Sequence, residues 1–142
     1  MNYDEFFRRL KLNKKIGLVN GCFDVLHIGH IRLFDFAKSN CDFLFVAIDS
    51  DEMIKKSKGP DRPFNNQQDR QEMLNALKSV FEVIIFNSHD ELIEICKKLN
   101  ADVHIVGAEY KDKYVVGGEY AKKLIFFDRI GEYSTSKILN DV

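Results

Sequence analysis

The segment NGCFDVLHIGH, residues 20–30, joins a short apolar run to a longer stretch with helical periodicity. The run before it, residues 16–20, is apolar and partly β-branched and is followed by Gly21, which is typical of a buried strand that leaves its sheet in a tight turn. After the segment, apolar residues at positions 31, 33, 34, 36 and 37 predict one face of a helix. A strand, a turn and a helix in this order favour an α/β protein whose ligand lies at the turn.

The same alternation continues along the chain. Further strands are predicted at residues 43–48, 82–86, 102–107 and 123–128. Helices are predicted from Ser50 or Asp51, over residues 67–80 with Met73, Leu74, Leu77 and Val80 on one face, and over residues 91–99. A loop is predicted at residues 58–66, which hold both prolines, and a turn at Gly117 and Gly118. Strands that are apolar on both sides and separated by helices predict a single parallel sheet of about five strands with helices on both faces.

Length and composition favour one globular domain over residues 1–142, with residues 1–14 as an N-terminal helical extension. The chain has 142 residues and a formal net charge of −1, and 45% of its residues are hydrophobic. The near-zero charge argues against a dedicated nucleic-acid binder, because affinity for a phosphate backbone needs a basic surplus. No apolar run approaches the roughly 20 residues that span a bilayer. The first residues lack the apolar stretch of a signal peptide, so the sequence predicts a cytoplasmic protein without a membrane partner.

Two histidines carry the chemistry of the segment. His27 and His30 are three residues apart, so on a helical turn they share a face. A helix that begins near Gly29 directs unpaired N–H groups and a partial positive charge to the turn, which suits phosphate. The two imidazoles could donate hydrogen bonds to charge that develops on a phosphoryl group. A zinc site of Cys22, His27 and His30 is an alternative, but no fourth ligand is evident nearby.

These residues resemble a known family. The segment GCFDVLHIGH matches the GxFDxxHxGH signature of the cytidylyltransferase-like nucleotidyltransferases, and residues 129–136, RIGEYSTS, match a second signature, R-x-x-x-x-S-T-[ST]. The resemblance covers nearly the whole chain from about residue 15. It implies a Rossmann-like nucleotidyltransferase fold in which both segments meet around a nucleoside triphosphate. It also implies Mg²⁺ as cofactor and a homodimer.

The resemblance implies roles for particular residues. The catalytic residues are expected to be His27, His30, Lys58 and Arg129. Residues expected to bind nucleotide and phosphate are Gly21, Cys22, Phe23, Asp24, Gly29, Arg70, Gly107, Glu109, Tyr133, Ser134, Thr135 and Ser136. Asp24, Lys55 and Asp51 are the candidates for the acceptor site, and no metal ligand is assigned.

Several of these residues have a simpler interpretation. Lys58 is favoured over Lys55 as the lysine that reaches the α-phosphate, although a lysine run is usually a solvated face. Arg70 could be an ordinary surface residue of its helix. Asp24 could orient a loop amide or a substrate hydroxyl, or it could form an Asx-turn with its own backbone. Ser134 at a predicted helix start could act as a plain N-cap.

The substrate is predicted from two competing resemblances. KGPDRP at 58–63 and GAEYKDKYVVGGEY at 107–120 resemble adenylyltransferases that make ADP-heptose from D-glycero-D-manno-heptose 1-phosphate. VAIDSDEM at 46–53 and Arg129 resemble glycerol-3-phosphate cytidylyltransferase, which makes CDP-glycerol. The first is favoured, so the expected substrates are ATP, or else CTP, and a sugar or polyol phosphate. A non-catalytic nucleotide-binding regulator is the alternative of another class, and the intact histidine and STS segments argue against it.

Overall fold

Five parallel strands form one sheet in the computed structural model, which describes residues 14–128 together with Asp4 and Arg8. The strands are β1 (Ile16–Gly21), β2 (Phe43–Asp49), β3 (Glu82–Phe86), β4 (Val103–Gly107) and β5 (Lys123–Phe127). Their order in the sheet is β3-β2-β1-β4-β5, and every neighbouring pair is parallel. The predicted single parallel sheet is therefore confirmed.

Helices cover both faces of this sheet, as predicted. They are α1 (Ile28–Ser39), α2 (Asp51–Lys58), α3 (Gln67–Asn75) and α4 (His89–Leu99), with short 3₁₀ turns at Ala108–Tyr110 and Gly118–Tyr120. Helices α1 and α3 pack on one face through Phe34, Ala37 and Leu74. Helix α4 packs on the other through Leu92 and Cys96. No helix within the described residues is long and apolar enough to cross a membrane.

Local capping chemistry sets where these helices begin. The side chains of Ser50, Asn66 and Ser88 each accept a hydrogen bond from the backbone N–H three residues on, which starts α2, α3 and α4. The caps place the start of α4 two residues before the predicted one, and α1 starts three residues earlier than its apolar pattern indicated.

Helix α3 is shorter than the sequence predicted. It ends at Asn75 rather than at residue 80, because Leu77 and Val80 donate to the carbonyls of Leu74 and Leu77 and tighten the chain into turns. Leu77 and Val80 still pack against the core, but Met73 is exposed. The 3.6-residue periodicity therefore predicted most of the buried residues correctly and the helix end wrongly.

The order of the strands indicates where in the sheet a ligand binds. From β1 the chain moves outward through β2 and β3, then returns to the other side of β1 to form β4 and β5. The carboxyl ends of β1 and β4 are the point at which the order reverses, and in open parallel sheets ligands bind there. The predicted turn at Gly117 is also confirmed, since its φ of 76° lies in the left-handed region that glycine adopts without strain.

A buried arginine joins the strand ends to the connecting loops. Arg70 on α3 is 0% exposed, so its interpretation as a surface residue is wrong. Its Nη1 donates to the carbonyl oxygens of Cys22 and Asp49 at 2.9 and 2.8 Å, and its Nε donates to that of Asn65 at 3.0 Å. Its Nη2 lies 2.8 Å from Asp51 Oδ1. One guanidinium thus connects β1, β2, α2 and the loop that precedes α3.

A buried histidine lies in β4. His104 is 0% exposed, and its Nε2 lies 2.8 Å from Oδ1 of Asn20 on β1. Burial lowers the pKa of His104 to about 4, because the interior disfavours the charged ring. The ring is therefore neutral at physiological pH.

We expect Arg70→Met to lower the free energy of unfolding by about 3 kcal/mol, because three carbonyl oxygens and Asp51 lose their donor. Urea denaturation followed by circular dichroism measures this loss. The matched control is Arg32→Met on the exposed side of α1, which should change stability by no more than about 0.5 kcal/mol. Equal losses in the two variants would show that the Arg70 contacts do not support the fold.

Because His104 is buried and neutral, we expect the free energy of unfolding to fall in mild acid. Above the usual histidine pKa of 6.5, His104 is neutral in both the folded and the unfolded protein, so its burial has no protonation cost. As the pH falls from 6.5 toward 4, His104 takes up a proton in the unfolded chain but not in the folded protein. The free energy of unfolding therefore falls by up to about 3 kcal/mol. Urea titrations across this range should show a shallower decline for His104→Leu than for the parent protein. Parallel pH profiles would contradict the assignment.

Candidate active site

A cleft opens where β1 and β4 end. Its volume is about 500 Å³, and residues at the ends of β1, β2 and β4 line it. It brings together predicted site residues from distant parts of the sequence, from Gly21 to Glu109. Those that line it are Gly21, Cys22, Phe23, His27, Gly29, His30, Gly107 and Glu109. A volume of this size suits a ligand as large as a nucleotide.

The two histidines form the start of α1. The Nδ1 of His27 accepts a hydrogen bond from the backbone N–H of Gly29 at 3.1 Å, and the Nδ1 of His30 accepts one from the N–H of His27 at 3.3 Å. The rings are stacked, with their centroids 3.8 Å apart and their planes 24° from parallel. The two imidazoles therefore accept the two backbone hydrogen bonds that serine and glutamate side chains accept in an ordinary capping box.

This capping fixes the tautomer of both rings. Because each Nδ1 accepts from a backbone N–H, it carries no proton, and the neutral ring bears its proton on Nε2. The pair thus places two Nε2–H donors beside the positive end of the α1 dipole. Such an arrangement stabilises negative charge on phosphoryl oxygens.

The packing of Phe23 explains the glycine of the first motif. Phe23 has a φ of 48°, which is unusual for a bulky residue, and its ring makes edge contacts with His30 and Phe34 at centroid distances of 5.3 and 5.0 Å. A Cβ at Gly21 would lie 3.1 Å from this ring. A larger residue at position 21 would therefore displace the ring that supports His30.

Asp24 lies beneath the loop that follows α2. It is 1% exposed, and its two carboxylate oxygens accept from the backbone N–H groups of Phe64 and Asn65 at 2.7 Å each. The Arg62 Nε lies 3.5 Å from the same carboxylate. Of the roles considered for Asp24, this geometry corresponds to the orientation of loop amides.

The lysines of this run, Lys55, Lys56 and Lys58, are all exposed residues of α2. Lys58 is the last residue of α2, and its charge acts on the cleft: it lowers the pKa of Cys22 and of Asp49 against the larger, opposite effect of burial. Lys55 is exposed one turn earlier on the same helix. Asp51, a candidate for the acceptor site, is held by the buried Arg70.

The zinc alternative gains no support from the described residues. Burial raises the pKa of the Cys22 thiol above its usual value, and the nearby Asp49 carboxylate raises it further. In the metal-free protein this thiol is therefore protonated at neutral pH. Among residues 14–128 there is also no group of three or more His, Cys, Asp or Glu side chains that could hold a metal ion.

Sequence reasoning missed several residues that line the cleft. Asn20 and Asp49 stand at the carboxyl ends of β1 and β2, while His89 and Tyr114 approach from α4 and from the segment after β4. A signal for the first two was present, because each is a polar residue that ends an otherwise apolar strand. His89 and Tyr114 are exposed residues in polar surroundings, and their approach depends on the fold.

The second predicted motif lies outside the described residues. This applies to the whole of residues 129–142, and therefore to Arg129, Tyr133, Ser134, Thr135 and Ser136. Their roles stay predictions.

Two solved structures resemble this fold. A lipopolysaccharide core biosynthesis protein from Thermoplasma volcanium aligns over 86% of this chain and 100% of that one, with a TM-score of 0.64 and 21% identity. Pantoate-beta-alanine ligase from Francisella tularensis, solved in complex with beta-gamma ATP and beta-alanine, aligns over 97% of this chain and 69% of that one, with a TM-score of 0.67 and 16% identity. At these identities the likeness concerns the fold alone.

Curated relatives are similar in sequence over most of the chain. The bifunctional protein HldE of Campylobacter fetus is 39% identical over 142 residues, covering 100% of this chain and 31% of that protein. HldE of Hyphomonas neptunium is 48% identical over 96 residues, which are 68% of this chain and 20% of that protein. The chain thus spans less than a third of the length of these relatives. Residues 18–138 match the cytidylyltransferase-like family, with the histidine segment inside the matched range, and the chain belongs to that family.

Proposed function

We propose that this protein is a nucleotidyltransferase that transfers the nucleoside monophosphate of ATP to a heptose 1-phosphate and releases pyrophosphate. The observation that carries the reaction class is the capped pair of His27 and His30, which line the cleft and whose Nδ1 hydrogen bonds leave the proton of each neutral ring on Nε2. The similarity to the bifunctional protein HldE, together with the segments at 58–63 and 107–120 that resemble ADP-heptose-forming adenylyltransferases, supports the choice of substrates.

In this proposal the α-phosphate lies against the two histidines. An oxygen of the acceptor phosphate attacks the α-phosphorus, the bond to the bridging oxygen of the β-phosphate breaks, and pyrophosphate leaves with the bonding electrons. The Nε2–H donors and the backbone N–H groups at the start of α1 stabilise the charge on the phosphoryl oxygens. Lys58 adds a positive charge from the end of α2.

No general base is needed for this reaction. The attacking phosphate oxygen is already ionised at neutral pH, so catalysis consists of positioning and charge stabilisation. The protonated thiol of Cys22 accords with this scheme, since it leaves the cleft without a competing nucleophile.

The oxygen donors of the cleft are compatible with Mg²⁺. The carboxylates of Asp49 and Glu109 line the cleft, and either could complete a shell of phosphate oxygens and water. When bound, the ion would neutralise part of the triphosphate charge. A dedicated protein cage is not required, because Mg²⁺ in such sites is held largely by substrate phosphates.

His30→Ala should lower kcat by about 10²–10³, because it removes a donor that acts mainly in the transition state. The matched control is Ile28→Ala in the same first helical turn, where the side chain is exposed and both histidines remain. His30→Gln should recover part of the rate, since its amide can place an N–H near the original Nε2. Initial rates of pyrophosphate release measure all three variants.

Circular dichroism should show that the His30 variants keep the fold. A His30→Ala rate close to that of Ile28→Ala would remove the histidine from the proposed mechanism.

The substrate assignment is tested by a matrix of the four nucleoside triphosphates against heptose 1-phosphate, other sugar 1-phosphates and glycerol 3-phosphate, with Mg²⁺ present. We expect pyrophosphate release with ATP and heptose 1-phosphate to exceed every other pair by at least about tenfold, because a site built to pair with one base edge leaves buried groups unpaired when another base enters.

Other outcomes of this matrix would replace the proposal. Preference for CTP with glycerol 3-phosphate would overturn the substrates and keep the reaction class. Calorimetric binding of a nucleotide without pyrophosphate release from any pair would instead identify a non-catalytic binding protein.

A further inference from the structure

Asn20 occupies a prominent position in the cleft and has no role in the mechanism above. It lies at the end of β1, directly before Gly21, and lines the cleft. Residues 18 and 20 of β1 share one face of the sheet, and Leu18 is the register partner of His104 on β4. This register brings the His104 ring beneath the Asn20 side chain, with 2.8 Å between Nε2 and Oδ1.

The surroundings of His104 fix the direction of this hydrogen bond. The other ring nitrogen, Nδ1, is buried and has no hydrogen-bond partner in the described part of the chain. An unpaired buried N–H is rarer in proteins than an unpaired buried acceptor, so the proton belongs on Nε2. His104 therefore donates and Asn20 Oδ1 accepts. Because burial keeps the ring neutral down to a pH near its lowered pKa of about 4, this arrangement holds at physiological pH.

The orientation of the Asn20 carboxamide follows from this bond. With Oδ1 held by the core histidine, the amide nitrogen Nδ2 is the end left to face the cleft. Within residues 14–128 no protein group accepts a hydrogen bond from it. An amide –NH₂ held by a rigid partner is a neutral donor, suited to an oxygen atom of a bound substrate.

We propose that Asn20 is a substrate-binding residue whose –NH₂ donates to a phosphate or hydroxyl oxygen in the cleft, and that His104 is the positioning residue that holds it there from inside the sheet. The oxygen belongs either to the nucleotide or to the sugar phosphate. This inference rests on the proposed function, since both ligands are those of the nucleotidyl transfer.

A double-mutant cycle tests the coupling of the two residues. Asn20→Ala should lower kcat/KM by about tenfold, the cost of one substrate hydrogen bond, and His104→Leu should lower it by about fivefold because the amide is no longer fixed. The double variant should be no slower than Asn20→Ala alone. His104→Gln, which keeps a neutral donor, should recover most of the loss.

Separate KM values assign the oxygen. A rise in the KM for ATP places it on the nucleotide, and a rise in the KM for heptose 1-phosphate places it on the acceptor; either supports the proposal.

Leu124→Val is the matched control, because Leu124 is the β5 neighbour of His104 and its truncation perturbs packing without touching the pair. Thermal unfolding of each variant separates loss of stability from loss of binding. Multiplicative effects of the two substitutions, or an unchanged kcat/KM in Asn20→Ala, would overturn the inference.

Two further measurements do not depend on turnover. Long-range ¹H–¹⁵N spectra of the intact protein should show His104 protonated on Nε2, and an Nδ1-protonated ring would overturn the inference. Calorimetry with ATP alone and with heptose 1-phosphate alone should show weaker binding of one of them to Asn20→Ala. A wild-type protein that binds these ligands but releases no pyrophosphate would refute the proposed function while leaving this test decisive.

Discussion

The buried guanidinium of Arg70 is the interaction on which the rest of the site depends. It occupies the space beneath the ends of β1 and β2 and donates to the carbonyls of Cys22 and Asp49 as well as to that of Asn65. A buried cation is costly unless its donors are satisfied, so the surrounding backbone must hold its carbonyls toward it. The same residue therefore fixes the strand ends that form the cleft and, through Asn65, the loop that Asp24 also holds.

In each histidine of the pair, one ring nitrogen caps the helix α1 and the other can donate a hydrogen bond to a ligand. The Nδ1 atoms of His27 and His30 complete the start of α1, and this use leaves the protons on the Nε2 atoms. A serine or aspartate would cap the helix equally well but would place no second donor in the cleft. The Phe23 ring packs against His30 in an edge contact, and a Cβ at Gly21 would lie 3.1 Å from this ring and shift it.

Burial keeps two groups near this cleft, Cys22 and His104, uncharged at neutral pH. It raises the pKa of Cys22 and lowers that of His104, so the first is a thiol and the second a fixed donor to Asn20. Positive charge is supplied instead from the helix start and from Lys58. The cleft therefore combines oriented neutral donors with a helix dipole and the positive charge of Lys58, an arrangement that can bind phosphate groups without a nucleophile of its own.

The sequence alone determined the alternation of strands and helices, the parallel sheet and the segment at residues 20–30, because periodicity, capping and turn chemistry are local. Only the tertiary structure decided the roles of Arg70, Asn20 and His104. Arg70 meets a carbonyl 48 positions away and His104 meets an amide 84 positions away, and no local pattern encodes such pairs. The end of α3 at Asn75 has the same origin: Leu77 and Val80 reach the core from turns, and long-range packing overrides the helical period.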